Sequence, residues 1–151
     1  MELPDSQLGK TMGMLSDVFV ADRNEATAIL QDGPIGAFPT YQAKSLDPVT
    51  LGRLEAVLVA KPFAQIGGKL TTDHFESESG ESGIHDVRRS LVEALAAMPS
   101  EAVARTAADW AEAEEWYGAT GPDLEPIVRG LMQLAALARQ ANKSLWVWWS
   151  L

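Results

Sequence analysis

Residues 144–151 read Ser-Leu-Trp-Val-Trp-Trp-Ser-Leu, and this stretch decides the fold. It is rich in aromatic and β-branched side chains and contains no glycine or proline, which is typical of a β-strand. Because apolar side chains occupy consecutive positions, both faces of the strand should be covered by other parts of the chain. We therefore expect residues 144–151 to form a central or covered strand.

A second strand is predicted near the other end of the chain, where residues 14–21 read Met-Leu-Ser-Asp-Val-Phe-Val-Ala. The segments between the two strands are mostly helical in pattern. The two strands should therefore pair with each other in a small sheet, with the helices packed on one or both of its faces. The sequence predicts a single, helix-rich α+β domain over residues 12–151.

The region between these strands contains several sequence patterns that predict helices. Asp22 followed by Glu25 has the spacing of a capping box, and Asp47 followed by Pro48 supplies an N-cap and a first helical residue. Apolar side chains recur at helical spacing in the second half of the chain. The predicted helices cover residues 22–31, 47–60, 87–98, 101–117 and 123–142. The fourth should be capped by Ser100 and should bury a stripe made of Val103, Ala107, Trp110 and Tyr117.

Three segments are predicted to lie outside the helices. Residues 1–11 have little apolar surface and should form a flexible tail. Residues 61–75 predict two short strands around a turn at Gly67-Gly68. Residues 76–83 read Glu-Ser-Glu-Ser-Gly-Glu-Ser-Gly, and because they contain no apolar side chain they predict a mobile acidic loop.

The composition restricts the class of protein. The chain has 151 residues, which suits one domain, and it has no cysteine. The lack of cysteine excludes disulfides, thiolate zinc sites and cysteine nucleophiles, and it is typical of a reducing compartment. The first residues lack the pattern of a signal peptide, and no apolar run approaches the roughly 20 residues that a membrane span needs. We expect a cytoplasmic protein.

The net charge of −9 is unevenly distributed. Residues 73–125 hold 13 acidic and three basic side chains, whereas the rest of the chain holds eight acidic and nine basic ones. A field of this sign repels nucleic acid phosphates and anionic lipid and attracts basic proteins. We therefore expect a basic protein as partner, and neither nucleic acid nor membrane. The alternative is that the charge serves solubility alone.

The candidate partner-binding residues lie on the fourth predicted helix. Asp109, Glu112 and Glu115 recur there at intervals of three, and Trp116 follows them. We expect the three carboxylates to face solvent and to bind the partner, with Trp116 as the aromatic contact, because tryptophan is frequent at binding hot spots. The alternative is that the carboxylates form only the solvated face of an amphipathic helix and that Trp116, like the other tryptophans, is buried in the core.

A second candidate site surrounds the two histidines of the chain. His74, Glu76, His85 and Asp86 offer the nitrogen and oxygen ligands that zinc, manganese or iron accepts. Their spacing matches no compact metal motif, so the sequence predicts neither metal nor cofactor, and a metal, if the chain binds one, should lie here. No P-loop and no Gly-x-Ser-x-Gly motif occurs, and no catalytic residue is assigned.

The layout of the chain resembles that of a group of small bacterial proteins of unknown function. Their chains commonly open Met-Gly-Met and close with a helix and a hydrophobic strand, which Met12-Gly13-Met14 and Leu145-Trp146-Val147 match here. The resemblance extends over the layout of the whole chain, but only three or four residues match as a sequence motif. It implies a bacterial origin, an α+β fold and residues 1–11 as an extension before Met12. It implies no catalytic residues.

Three functional hypotheses follow. The first is an acidic binding protein that docks a basic macromolecule, with a toxin-neutralising (immunity-type) role or mimicry of nucleic acid as concrete versions. The second is a metal-dependent hydrolase that uses His74 and His85. The third is a non-catalytic assembly subunit with contacts through its tryptophans. The sequence predicts neither the oligomeric state nor the identity of the partner.

Overall fold

The computed structural model describes residues 14–66, 71 and 73–151. The strands are β1 Leu15–Ala21, β2 Thr40–Lys44, β3 His74–Glu76, β4 Ser82–Asp86 and β5 Ser144–Ser150. The α-helices are α1 Arg23–Ala28, α2 Pro48–Val59, α3 Arg89–Ala97, α4 Val103–Ala111 and α5 Gly121–Ala141. Short 3₁₀ turns cover Phe63–Gln65, Ser100–Ala102 and Glu114–Trp116. The predicted α+β class is confirmed.

The strands form one antiparallel sheet in the order β2-β1-β5-β4-β3. The N-terminal strand β1 pairs with the C-terminal strand β5 over seven residues, from Leu15 opposite Ser150 to Ala21 opposite Ser144. On its other side β5 pairs with β4. The predicted pairing of the two terminal strands and the central position of residues 144–150 are both confirmed.

The sheet has apolar contacts on both faces. On one face Val18, Val20, Leu145 and Val147 join the core of helices α2 to α5. On the other face a smaller cluster is covered by α1 and the loop that follows it, and its members are Phe19, Ala21, Ala26, Ile84 and Trp146. This double coverage explains why β5 is apolar at consecutive positions.

The predicted helix caps are confirmed for α1 and α2. Asp22 and Glu25 form a reciprocal capping box, and Asp47 accepts from the backbone N–H of Thr50 with Pro48 in the first turn. Helix α5 begins slightly before the predicted position and ends at Asn142, which adopts the left-handed conformation that closes helices.

The predicted helix over residues 101–117 is wrong in its second half. Helix α4 ends at Ala111 because Ala113 is extended (φ −64°, ψ 138°), and a 3₁₀ turn follows. Ser100 makes no capping hydrogen bond, since the chain enters α4 through the 3₁₀ turn Ser100–Ala102. Tyr117 does not join the buried stripe and is 78% exposed.

The region before β4 also differs from the prediction. Phe63–Gln65 forms a 3₁₀ turn instead of a strand. The predicted turn at Gly67-Gly68 and the tail of residues 1–11 lie outside the described residues. Residues 76–83 form the hairpin that joins β3 to β4, with Ser77 and Ser82 buried, so only their middle part is a loop.

Strand β2 was not predicted from the sequence.

None of the helices in the described ranges combines the length and the hydrophobicity that crossing a bilayer requires.

Candidate functional site

The three predicted partner-binding carboxylates do not share one helical face. Asp109 lies exposed in the last turn of α4, with Oδ2 3.9 Å from Nε of Arg105. Glu112 is the exposed residue that ends the helix. Glu115 turns inward and pairs with Arg53, at 3.0 Å from Nε to Oε1 and 3.4 Å from Nη2 to Oε2. Glu115 therefore ties the turn to α2 and is not a solvent-facing carboxylate.

Trp116 packs against the core instead of standing in solvent. Its ring meets that of Trp110 edge-on, with centroids 5.0 Å apart and an interplanar angle of 87°. The Trp110 indole donates to the carbonyl oxygen of Thr50 at 2.9 Å, whereas the buried Trp116 Nε1 finds no acceptor among the described residues. Trp116 is thus partly buried against the core, which is the alternative to its predicted role as a contact residue.

The exposed aromatic of this region is Tyr117. Its backbone adopts the left-handed conformation (φ 47°) and donates to the Glu114 carbonyl oxygen at 3.3 Å. The neighbouring carboxylates of Glu112 and Glu114 are exposed, and neither forms an ion pair with any residue that the structure describes. We call Glu112, Glu114 and Tyr117 the acidic turn. Sequence reasoning missed it because a continuous helix would bury Tyr117.

The two histidines lie opposite each other on neighbouring strands. His74 of β3 pairs in register with His85 of β4, so both side chains project from the sheet face that carries the helices. They line a concavity of about 290 Å³. We call it the histidine cleft, and its walls are Met14, Asp47, Pro48, Thr71, His74, His85 and Trp149.

His85 forms the floor of the histidine cleft and is only 4% exposed. Burial lowers the pKa of its imidazole, and the backbone contact with Asp86 and the charges of Asp86 and Asp47 oppose that shift. Its Nδ1 lies 3.3 Å from the Asp86 carbonyl oxygen. His74 is exposed at the rim, with Nε2 3.6 Å from Oε2 of Glu76.

The four predicted metal ligands do not converge. Asp86 lies opposite Trp146 in register and so projects from the other face of β4. Its Oδ1 accepts from the Thr71 hydroxyl at 2.5 Å and from the Asp73 backbone N–H at 3.0 Å. Among the described residues, no three histidine or carboxylate side chains are grouped as a metal site. Adjacent strand residues face opposite ways, which the sequence spacing alone did not take into account.

Trp149 covers the sheet next to the histidine cleft because its partner in register is Gly83. A Cβ on Gly83 would lie 2.5 Å from Cε2 of Trp149 and 2.7 Å from the Phe75 carbonyl oxygen. The absent side chain of Gly83 is therefore what lets the indole lie flat across β4. No signal in the sequence links these two residues, which are far apart along the chain.

Asp17 is a second buried ionisable group that sequence reasoning missed. It lies in β1 between Gln42 of β2 and Trp148 of β5, is 3% exposed, and has a pKa raised by burial. Its place in the middle of an apolar strand gave no functional signal.

Comparisons of the chain with protein-family models, with curated proteins and with solved structures find no match. The resemblance in layout to small bacterial proteins stays a prediction, and no residue takes its role from it. Function is therefore argued from the acidic turn and the histidine cleft.

Proposed function

We propose that this chain is an acidic binding protein that docks a basic protein partner through the acidic turn. A toxin-neutralising (immunity-type) role is the concrete version that we favour. The observation that carries the proposal is Tyr117, which is 78% exposed and closely follows the exposed carboxylates of Glu112 and Glu114 along the chain. Tyrosine is enriched at protein interfaces because it combines an apolar ring with a hydroxyl group.

The local charge supports a basic partner. Arg53 pairs with Glu115, and Arg105 lies close to Asp109. The negative electrostatic potential of this region therefore comes mainly from Glu112 and Glu114. These carboxylates are exposed and remain available to lysine and arginine side chains of a partner. Basic nucleases present such side chains because their substrates are polyanions, and opposite charge speeds their encounter with an acidic inhibitor.

The rigidity of the turn supports binding as well. The Glu115–Arg53 pair fixes one side of it to α2, and the edge-on contact of Trp116 with Trp110 fixes the other side to α4. Tyr117 follows with a left-handed backbone and an exposed ring. A contact group that is already ordered loses less entropy on binding than a mobile one.

The experiment compares two double variants with the same change of charge. A partner is isolated from lysate of the source cells by affinity on the wild-type chain, and its binding kinetics are measured at low and high salt. Glu112→Gln with Glu114→Gln should slow association about tenfold at low salt, and high salt should remove the difference. The control, Glu78→Gln with Glu81→Gln, removes two exposed carboxylates of the β3–β4 hairpin and should change association much less.

A third variant tests the aromatic contact. Tyr117→Ala should leave folding intact and raise the dissociation rate, because contacts made after encounter act on dissociation. Glu115 is left unchanged, since its replacement would break the pair with Arg53 and confuse binding with stability. If both double variants slow association equally, or if Tyr117→Ala dissociates like the wild type, the acidic turn is not the binding surface.

A further inference from the structure

His85, which lines the histidine cleft, has a ring nitrogen without a partner among the described residues. His85 Nδ1 faces the carbonyl oxygen of Asp86, and Nε2 makes no hydrogen bond with a described residue. An unpartnered nitrogen on a side chain that is 4% exposed and lines a cleft marks a position where a ligand can bind.

The protonation state of His85 defines what that ligand must supply. A carbonyl oxygen only accepts hydrogen bonds, so Nδ1 carries the proton that faces Asp86. Burial lowers the pKa of the imidazole and so favours its neutral form, in which a proton on Nδ1 leaves Nε2 with a lone pair. The ligand therefore presents a hydrogen-bond donor to Nε2.

The walls of the cleft define the rest of the ligand. Trp149 offers the face of an indole, and Pro48 and Met14 add aliphatic surface. Asp47 also lines the cleft, but its Oδ1 accepts from both the backbone N–H and the hydroxyl of Thr50. A flat apolar group fits these surfaces better than a charged one. The volume of about 290 Å³ lies at the small end of the range for ligand pockets.

We propose that the histidine cleft binds a small aromatic alcohol, a molecule of the size of phenol. Its hydroxyl donates to Nε2 of His85, and its ring packs against Trp149 and Pro48. This site is separate from the acidic turn, and the inference does not depend on the proposed function.

The test uses phenol and toluene, which share a ring and differ by the hydroxyl group. The chain has only two histidines, so the imidazole carbon–proton signals in an NMR spectrum number four, two for each ring, and can be assigned by substitution. Titrations are done on the full chain, well above the ordinary titration range of histidine. Phenol should bind in the millimolar range and up to about tenfold more tightly than toluene, as expected for one added hydrogen bond. The signals of His85 should shift and saturate with the binding curve.

Three variants distinguish the contribution of this hydrogen bond to binding from the contribution of the shape of the cleft. His85→Phe keeps an apolar ring on the floor and should abolish the preference for phenol. His74→Ala, at the exposed rim, should preserve it. Trp149→Leu should weaken the binding of phenol and of toluene to the same extent. The proposal is overturned if neither compound binds up to its solubility limit, if both bind equally to the wild type, or if the preference survives His85→Phe.

Discussion

The ring of Tyr41 in β2 lies directly on the backbone of Gly130 in α5. A Cβ on Gly130 would come within 2.5 Å of Cδ1 and 2.6 Å of Cε1 of that ring, closer than the non-bonded contacts that Cβ atoms make in folded proteins. The contact joins the edge strand of the sheet to the longest helix. Gly130 is therefore a packing position within a helix, where glycine is otherwise unfavourable.

Gly130→Ala should destabilise the domain by about 1–3 kcal/mol, as overpacking does. The gain in helix propensity, about 1 kcal/mol for alanine over glycine, opposes this cost but should not cancel it. The ring of Tyr41 is rigid and partly buried, so it cannot swing away as a flexible chain end would. Urea unfolding monitored by circular dichroism measures the difference.

The double variant with Tyr41→Ala is the control for this prediction. Once the ring is absent, Gly130→Ala should become neutral or stabilising, because only the helix propensity then remains. A cost for Gly130→Ala that is the same with and without the ring would show that the contact with Tyr41 is not its cause.

Removal of residues 146–151 should abolish cooperative unfolding. These residues form most of β5, which bonds to β1 on one side and to β4 on the other, so the truncation divides the sheet. It also removes Trp146, whose buried indole donates to the Ala21 carbonyl oxygen at 3.0 Å. Calorimetry of the truncated chain should show no heat-absorption peak. A normal melting transition would mean that β5 is dispensable.

Sequence patterns predicted the strand and the helix starts that are determined by residues close together in the sequence. The unbroken apolar run of β5 and the caps Asp22 and Asp47 act through residues a few positions away, so spacing alone was sufficient to identify them. Strand β2 was missed because its place at the sheet edge depends on β1 and on the distant Gly130.

The sites were harder to predict, because they depend on contacts between distant residues. Glu115 has the same chemistry as Glu112, yet Arg53, 62 positions earlier, holds it inward. The break at Ala113 left no pattern in the sequence, and it changed which of Trp116 and Tyr117 faces solvent. The two histidines were singled out, but the cleft beside them depends on the pairing of Gly83 with Trp149.

Arg88→Met should destabilise the domain by about 3 kcal/mol, because it leaves the buried carboxylate of Glu55 without its cation. Glu55 is 3% exposed and accepts from Arg88 Nε at 2.9 Å and from the Ser90 hydroxyl at 2.7 Å. The matched control is Arg89→Met at the next position. Arg89 is exposed and stands 3.8 Å from Glu93, a surface pair worth less than about 1 kcal/mol.

A further double variant identifies the cause of the stability that Arg88→Met loses. Glu55→Gln combined with Arg88→Met removes both charges and should recover much of the lost stability, since the uncompensated buried charge disappears. Equal losses for Arg88→Met and Arg89→Met in chemical denaturation would show that Glu55 is not a buried charge dependent on Arg88.

The stability of the domain should fall as the pH drops below the ordinary pKa of histidine, 6.5, and His85 should cause the fall. Burial lowers the pKa of His85 in the folded state, so the unfolded chain takes up a proton at a higher pH than the folded chain does. The unfolded state is then favoured by up to about 1.4 kcal/mol for each pH unit until the folded imidazole is protonated too. The nearby charged groups are Asp47 and Asp86, which oppose the shift, and His74, which adds to it.

Urea unfolding at a series of pH values between about 5 and 8 tests this, with His85→Phe and His74→Ala as variants. The wild type and His74→Ala should lose stability over the lower half of this interval. His85→Phe should lose distinctly less, because it has no imidazole to protonate in the core. Parallel curves for the wild type and His85→Phe would show that His85 has the same pKa in the folded and the unfolded chain.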